Sequence, residues 1–288
     1  MVYTIKTAVI GSINIDLSYQ ISQKPKTGET LIGNNYQLLN GGKGANQAVI
    51  LNNEIPDIQF LGAVGDDQFA DIAIKNLQQK GLETKHILQK SSKTGFANIE
   101  IYNGDNSIIV FPGANYSIDK TDIDRFLKNN NDLKWIIIQF EIPIEVIKYI
   151  INKAYENNIG IILNPAPAQK LSKDLLDKVT YLIPNESEFN LMFPSFTFEQ
   201  GIKEYGDKLI ITLGDKGVLY NNNGNAKLEP AHSINVVDTT GAGDSFVAGF
   251  SAQIIKGKSL KEAVEYGNSL AAKTCQCFGA QCLIKDRD

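Results

Sequence analysis

Short apolar segments that alternate with amphipathic ones constrain this chain more than any other feature. Runs of strand length that are apolar on both faces recur at residues 7–11, 58–64, 135–140, 160–163, 181–183 and 209–213. Such runs are typical of strands that are buried on both sides in a parallel sheet. The segments between them have helical periodicity; in residues 67–80, for example, Phe69, Ala73 and Leu77 fall on one helical face. The pattern predicts an α/β fold in which helices sandwich a mostly parallel sheet.

Two segments interrupt this rhythm. Residues 94–112 alternate apolar and polar side chains around Asn103-Gly104, which is typical of a hairpin with one face in solvent. Residues 17–40 also have an extended character, because they contain Pro25 and Gly28 and lack a helical period. Two arrangements are open: the segments pair into a small separate sheet that covers a site, or they extend one edge of the main sheet.

Composition narrows the class of protein. The 288 residues suffice for one large α/β domain with or without a small appendage, and 43% of them are hydrophobic. No run approaches the roughly 20 apolar residues of a membrane span, and residues 1–11 are interpreted as a first strand rather than a signal peptide. The net charge of -4 comes without basic clusters and therefore argues against a nucleic-acid partner. We expect a cytoplasmic protein that acts on a small molecule.

Three cysteines lie close together near the C-terminus, at Cys275, Cys277 and Cys282. An odd number argues against a disulfide framework and fits a reducing compartment. A metal site there lacks a fourth ligand, because the only histidines, His86 and His232, are distant in sequence. We expect the three cysteines to pack or to contribute backbone groups only.

A glycine-rich segment precedes the helix-like residues 247–255. Gly241, Ala242 and Gly243 allow the backbone to approach a ligand, and amides at a helix N-terminus favour an anion such as a phosphate. Asp244 directly follows, where a carboxylate suits a base that accepts the proton of a hydroxyl attacking a phosphoryl group. The alternative is an ordinary Gly-rich turn in which Asp244 caps the helix.

A second glycine cluster contains Gly42, Lys43 and Asn46. Backbone amides, an ammonium group and a side-chain amide suit a polyhydroxylated ligand, although a loop with a solvated lysine is the simpler alternative. Asn14 and Asp16 follow the first strand two residues apart, so in an extended chain both side chains point to the same side. They either contact sugar hydroxyls or belong to a plain turn.

Polar residues also follow later strands, at the carboxyl edge where open α/β sheets bind ligands. Glu141 is placed to face that edge, or it is simply solvated. Asn185 and Glu188 are one helical turn apart, which suits either magnesium-bound water near phosphates or a capping box. Thr212 and residues 214–217 suit a nucleotide edge or a hairpin turn equally well.

Together these motifs resemble the ribokinase family of carbohydrate kinases, in order and over nearly the whole chain. The similar segments are residues 11–16, 41–47, 164–168, 184–188, 212–217 and 238–244. The first three are specific to ribokinase-like members, whereas the Gly-Ala-Gly-Asp segment is shared by the wider family. The resemblance implies a large α/β domain (residues 1–12, 41–93 and 113–288) and a β-sheet lid (residues 13–40 and 94–112). It also implies a homodimer formed through the lid.

The resemblance further implies ATP-dependent phosphorylation of D-ribose at its 5-hydroxyl. Asp244 would be the catalytic base, and Gly241, Ala242 and Gly243 would form the anion hole. The sugar would be held by Asn14, Asp16, Gly42, Lys43, Asn46, Glu141 and Asp244. The nucleotide would lie along Asn185, Thr212, Gly214, Gly217, Gly243 and Asn268, with Asn185 and Glu188 organising Mg²⁺ through water.

A monovalent cation, usually K⁺, is the activator that the resemblance implies. Its ligands would be Asp238 and carbonyl groups at Thr240, Thr274, Cys277 and Gly279. This chain has Cys282 and Leu283 where the family usually has a small hydroxyl residue, which predicts a cation shell that is one ligand short or rearranged.

Three other functions are considered. The first is a kinase of the same family for a deoxysugar, a ketohexose or a nucleoside, and the second is a non-catalytic sugar sensor. A nicotinamide-dependent oxidoreductase would need a dinucleotide fingerprint after the first strand, but residues 11–14 do not carry one.

Overall fold

In a computed structural model of the protein, residues 5–33, 35–102 and 105–286 are described. In chain order the elements are β1 (Thr7–Ile10), β2 (Asn14–Ile21), β3 (Tyr36–Gly41), α1 (Lys43–Glu54), β4 (Gln59–Val64), α2 (Gln68–Gln79), β5 (Ile87–Gln89), β6 (Gly95–Tyr102), β7 (Asp105–Phe111), α3 (Lys120–Asn129), β8 (Trp135–Gln139), α4 (Ile144–Glu156), β9 (Gly160–Asn164), α5 (Lys173–Lys178), β10 (Tyr181–Leu182), α6 (Glu186–Met192), α7 (Phe198–Tyr205), β11 (Ile210–Thr212), β12 (Val218–Asn222), β13 (Asn225–Glu229), α8 (Ala242–Ile255) and α9 (Leu260–Thr274). Within these described ranges, no helix is long and apolar enough to cross a bilayer.

The main sheet has six parallel strands in the order β10-β9-β8-β1-β4-β5, which confirms the α/β prediction. Residue bridges Leu182 to Leu209 and Asn185 to Thr212 continue it towards a three-stranded antiparallel sheet, β11-β12-β13. The predicted strands all exist, and each observed end lies within one residue of the end of its apolar run. Parallel strands end at the same edge, so the polar residues that follow them are brought to one side of the molecule.

Two apolar layers hold the helices against this sheet. Along β8, Ile137 points into one layer, and Ile136 and Ile138 point into the other. The first layer packs on α1, α2, α8 and α9, and the second on helices that include α3, α4 and α7. Helix α8 is buried along most of its length, with Phe246 and Phe250 almost fully enclosed. Its N-terminus is therefore held firmly in place.

The two segments that interrupt the α/β rhythm form a sheet of their own, in the order β3-β2-β6-β7. Strands β2 and β6 pair in parallel, and the other two pairs are antiparallel. The alternative that these segments extend an edge of the main sheet is therefore wrong. Strands β6 and β7 pair antiparallel as the hairpin pattern predicts, although its turn, Asn103-Gly104, lies outside the described residues.

Five helices of the described residues begin with a side-chain cap, and α1, α4, α5 and α8 do not. Side chains cap α2, α3, α6, α7 and α9 through Asp67, Asp119, Asn185, Thr197 and Ser259. Helices α1 and α8 instead begin after Gly42 and Gly241, and among the described residues no side chain caps either of them. At α1 the first backbone N–H groups donate instead to Glu141 and Ser12, and at α8 the N–H of Ala242 donates to the carbonyl of Thr239 at 3.2 Å.

Candidate active site

A cavity of about 560 Å³ lies between the four-stranded sheet and the carboxyl edge of the main sheet. All the side chains and glycines predicted to hold a sugar line it, namely Asn14, Asp16, Gly42, Lys43, Asn46, Glu141 and Asp244. The four-stranded sheet contributes an apolar wall of Ala97, Ile99, Ile108 and Val110. One polar wall that faces one apolar wall suits a small ligand with several hydroxyl groups.

Gly42 brings the start of α1 against the start of β2. Its φ angle is +88°, and a Cβ added there would lie 2.8 Å from the backbone nitrogen of Asn14 and 2.9 Å from the carbonyl oxygen of Ser12. Contacts that short do not occur for a real Cβ, so glycine is required by both conformation and space. This close approach places Lys43 and Asn46 beside Asn14.

Asn115 orients Asn14, and sequence reasoning did not single it out. It lies in a 3₁₀ turn, Gly113–Ser117, and is buried. Its Nδ2 donates to Asn14 Oδ1 at 2.8 Å and to the carbonyl of Ile13 at 3.0 Å, while its Oδ1 accepts from the backbone nitrogen of Ile13 at 2.9 Å. Because Asn14 Oδ1 is engaged, its Nδ2 is the group left to donate to a ligand.

Four charged side chains line the cavity, namely Asp16, Lys43, Glu141 and Asp244. Glu141 accepts hydrogen bonds from the hydroxyl of Ser12 and from the backbone nitrogen of Lys43, the latter at 3.0 Å. Burial by itself would lower the pKa of Lys43, but the charges of Asp244, Glu141, Glu188 and Asp16 outweigh it and raise that pKa. Lys43 therefore stays positively charged and balances part of the negative charge around it.

For Asp16, the surroundings disfavour the charged form. Burial, together with the charges of Glu141 and Asp244, raises the pKa of Asp16 from 3.8 to about 7, and Lys43 offsets only part of this increase. Among the described residues, Asp16 Oδ1 is buried without a hydrogen-bond partner. The carboxyl group is thus costly to ionise.

The N-terminus of α8 forms the other end of the cavity. Gly241 has a φ angle of +78°, and a Cβ on it would lie 2.5 Å from Ala280 of the C-terminal loop. A Cβ added to Gly243 would meet no described atom within 4 Å, so the first turn faces open space. Asp244 lies in this turn and does not cap the helix, which excludes the ordinary-cap alternative. The positive end of the helix dipole is left free to attract an anion.

The whole chain, and not only this cavity, is similar to known proteins. The sequence model of the pfkB family of carbohydrate kinases matches residues 4–287 of this chain. The chain belongs to the pfkB family of carbohydrate kinases. The ribokinase of Bacillus subtilis (strain 168) is 38% identical over 274 residues, which span 95% of this chain and 94% of that protein.

Solved structures share the fold of this pfkB kinase. The ribokinase from Thermotoga maritima has a TM-score of 0.88 at 33% identity and covers 98% of this chain and 97% of its own. The Arabidopsis thaliana ribokinase, solved in complex with ribose and ATP, has a TM-score of 0.88 at 28% identity, covering 98% of this chain and 96% of its own.

None of the residues predicted for the nucleotide lines the cavity of the pfkB kinase, although Gly243 lies in the same helix turn as Asp244, which does. Asn185 and Glu188 form a capping box at α6, with hydrogen bonds of 2.8 to 2.9 Å, as one of the two sequence interpretations expected. Thr212 pairs with Asn185, and the turn from Gly214 to Gly217 joins β11 to β12. Asn268 on α9 donates to the carbonyl of Pro230 at 2.8 Å.

The predicted cation ligands lie in two neighbouring segments, the end of α9 with the loop after it and the segment before α8. Asp238 accepts from the backbone nitrogens of Thr240 and Gly279, both at 2.9 Å. The carbonyl oxygen of Thr274 lies 3.7 Å from the sulfur of Cys277. In the described part of the chain, no group of three or more His, Cys, Asp and Glu side chains is arranged to hold a metal ion.

The expectation for the cysteines is wrong for two of the three. Cys277 and Cys282 form a disulfide, while Cys275 is free. Successive turns after α9 bring the Cα atoms of Cys277 and Cys282 to 6.0 Å, a distance that allows a bridge. Counting cysteines could not reveal this, because the pairing depends on how the loop folds back.

The raised pKa of Asp16 predicts a pH-dependent cost in stability. A carboxyl group whose pKa is higher in the folded than in the unfolded protein destabilises the fold once it must ionise. This cost is absent below about pH 4 and grows as the pH rises from about 4 to 7. Above about pH 7 it lowers the free energy of unfolding by a few kcal/mol, because each pKa unit corresponds to about 1.4 kcal/mol. Asp16→Asn should therefore raise the melting temperature of the ligand-free protein at pH 8, and the gain should shrink towards pH 4.

Thermal denaturation followed by circular dichroism at pH 8, 6 and 4.5 measures this effect. The matched control is Asp71→Asn on the exposed face of α2, which should change the melting temperature little at any pH. An increase in melting temperature for Asp16→Asn that is equally large at all three pH values would contradict the raised pKa of Asp16.

Proposed function

We propose that this kinase transfers the γ-phosphoryl group of ATP to the 5-hydroxyl of D-ribose. The observation that carries the proposal is the placement of Asp244, which lines the polar cavity and lies in the first turn of an uncapped helix. A base and an anion-favouring helix end at one point are what phosphoryl transfer to a hydroxyl needs. Similarity to ribokinases, one of them solved with ribose and ATP, supports ribose as the sugar.

The reaction follows from this geometry. The 5-hydroxyl gives its proton to Asp244 as its oxygen forms a bond to the γ-phosphorus, and the bond from that phosphorus to the bridging oxygen of ADP breaks. The amides of Gly241, Ala242 and Gly243 form the anion hole and stabilise the charge on the transferred group. In the ligand-free structure the amide of Ala242 donates to the carbonyl of Thr239 at 3.2 Å, and a phosphoryl oxygen would replace that partner.

The sugar hydroxyl groups have matching partners. The carboxyl group of Asp16, which lines the cavity, accepts from one hydroxyl, and the free Nδ2 of Asn14 donates to another. Lys43, Asn46 and Glu141, together with the backbone of Gly42, complete the ring of contacts. Several directional hydrogen bonds would reject a ligand that lacks the corresponding hydroxyl groups, because the buried partners would remain unsatisfied.

The nucleotide lies along Thr212, Gly214, Gly217, Gly243 and Asn268. Mg²⁺, when bound, neutralises phosphate charge, and Asn185 and Glu188 would hold it through water. Glu188 fits this role, because both carboxylate oxygens are oriented by Asn185 and retain lone pairs for a water molecule.

A monovalent cation, K⁺ in the first instance, is proposed beside the anion hole. The donor set is Asp238 with the carbonyl groups of Thr240, Thr274, Cys277 and Gly279, and such hard oxygen ligands suit an alkali cation. Leu283 supplies no side-chain oxygen, so the shell would have one ligand fewer or a rearranged set.

The four-stranded sheet is proposed as a lid formed by residues 13–40 and 94–112, over a large domain of residues 1–12, 41–93 and 113–288. The same sheet region is proposed as the interface of a homodimer in the cytoplasm. It exposes large apolar side chains that a monomer leaves in water, with Tyr36 73% exposed and Ile109 57% exposed.

Asp244→Asn is the direct test of the catalytic role. Asparagine keeps the shape but cannot accept the proton, so kcat for ribose should fall by about 10²- to 10⁴-fold while ATP still binds. A coupled ADP assay over ribose, deoxyribose, fructose and adenosine gives kcat and KM, and ribose should have the highest kcat/KM. Asp71→Asn serves as the control. Wild-type turnover by Asp244→Asn, or preference for another substrate, would contradict the proposal.

Tyr36→Glu combined with Ile109→Glu should convert a dimer into a monomer. The two carboxylates would be buried in an apolar interface without partners, which is strongly unfavourable. Sedimentation or light scattering behind size exclusion measures the mass. Tyr155→Glu is the matched control, because Tyr155 is 60% exposed on α4, away from the lid. A monomeric wild-type protein, or a double variant that stays dimeric, would refute the interface.

A further inference from the structure

Both carboxylate oxygens of Asp244 accept hydrogen bonds from consecutive side-chain amides on α1. Asn46 Nδ2 lies 3.0 Å from Oδ2, and Gln47 Nε2 lies 2.9 Å from Oδ1. The three residues are almost fully buried, with Asn46 and Asp244 each 6% exposed and Gln47 0% exposed. The carboxylate is therefore clamped between two donors, which fixes its plane.

The charge on the Asp244 carboxylate sets the direction of each hydrogen bond in the series of side chains that leads to it. An ionised carboxylate only accepts, so Asn46 must turn its NH₂ group towards Asp244 and its oxygen away. That oxygen accepts from Gln281 Nε2 at 3.0 Å, and Gln281 Oε1 in turn accepts from Asn76 Nδ2 at 2.9 Å. The relay thus runs in one direction from Asn76 through Gln281 and Asn46 to Asp244.

A second relay reaches the other oxygen by the same rule. Gln47 donates through Nε2 to Asp244, and its Oε1 accepts from Gln139 Nε2 at 2.6 Å. Gln139 ends β8, so this relay anchors the carboxylate to the main sheet. The first relay anchors it to α2 and to the C-terminal loop.

We propose that Gln281 is a positioning residue for the reaction, acting on Asp244 through Asn46. The inference rests on the proposed role of Asp244 as the base. Gln281 is buried but does not line the cavity, so its effect on catalysis passes through Asn46. With both oxygens held, the remaining lone pairs of Asp244 are aimed at the cavity, and a misplacement of the base by about 1 Å can cost about 10²-fold in rate.

The loop that carries Gln281 is itself restrained. Gln281 lies in the turns between Cys277 and Cys282, whose Cα atoms are 6.0 Å apart. The backbone nitrogen of Gly279 donates to Asp238 at 2.9 Å, and that of Val237 donates to the carbonyl of Cys275 at 2.8 Å. These hydrogen bonds restrain the loop that brings Gln281 to Asn46, 235 residues away in sequence.

Two substitutions of Gln281 separate polarity from packing. Gln281→Met removes the donor, and we expect kcat to fall about tenfold, the effect of a lost hydrogen bond. Gln281→Glu keeps the shape but places an acceptor against Asn46 Oδ1, which forces the Asn46 amide to reverse and present oxygen to Asp244. We expect a loss of about 100-fold in kcat, with KM for ATP unchanged. A packing role predicts the opposite order, because glutamate fits the same space and methionine does not.

Controls keep the test independent of folding. Gln276→Glu makes the same chemical change at an exposed position of the same loop and should leave kcat within twofold of wild type. Asn76→Asp reverses the polarity one link further away at a partly exposed site, and kcat should fall several-fold while the melting temperature stays close to that of the wild type.

The outcomes are distinct. A loss of kcat that is larger for Gln281→Glu than for Gln281→Met, with a smaller loss for Asn76→Asp, supports the relay. Equal or reversed order of the Gln281 variants, or all variants within twofold of wild type, overturns it even when Asp244→Asn is inactive and the proposed function stands. A wild-type protein without sugar kinase activity overturns both.

Discussion

A buried carboxylate at the open end of a buried helix is the arrangement on which the rest of this structure depends. Asp244 lies in the first turn of α8, and glycine rather than a capping side chain precedes that helix. A carboxylate there benefits from the helix dipole, yet burial makes its unsatisfied oxygens costly. Side-chain amides on α1 donate to both carboxylate oxygens and offset this cost, so α1 and α8 must pack in one fixed relative position. The glycines that begin both helices allow that approach and keep the cavity open between them.

The cavity concentrates more negative charge than Lys43 can neutralise. Asp16 bears the consequence, because burial and its acidic neighbours raise its pKa to about 7. Such a group weakens the ligand-free protein, and the proposed contact with a sugar hydroxyl would be an exchange of stability for binding. The apolar wall from the four-stranded sheet strengthens this effect, because it keeps water away from that side of the carboxylates.

Much of the fold could be predicted because it depends on local pattern. The apolar runs that became β1, β4, β8 and β9 are buried on both faces, and helices such as α2 and α9 show their periodicity directly. Pattern alone left the four-stranded sheet undecided, since strand pairing over long separations leaves no local signal. The candidate site followed from residue type and position at strand ends, and the seven predicted sugar contacts do line one cavity. Their roles in binding stay predictions.

By itself the sequence determined the strands and helices, the glycine starts of α1 and α8, and the kind of chemistry that Lys43 and Asp244 can perform, because each depends on residue type and near neighbours. Only the tertiary structure decided which distant amides meet. Asn115 orients Asn14, Gln281 reaches Asn46, and Cys277 pairs with Cys282 through the folding of turns that no periodicity encodes. A hydrogen bond needs its atoms within about 3 Å, and that distance is set by the packing of the whole domain.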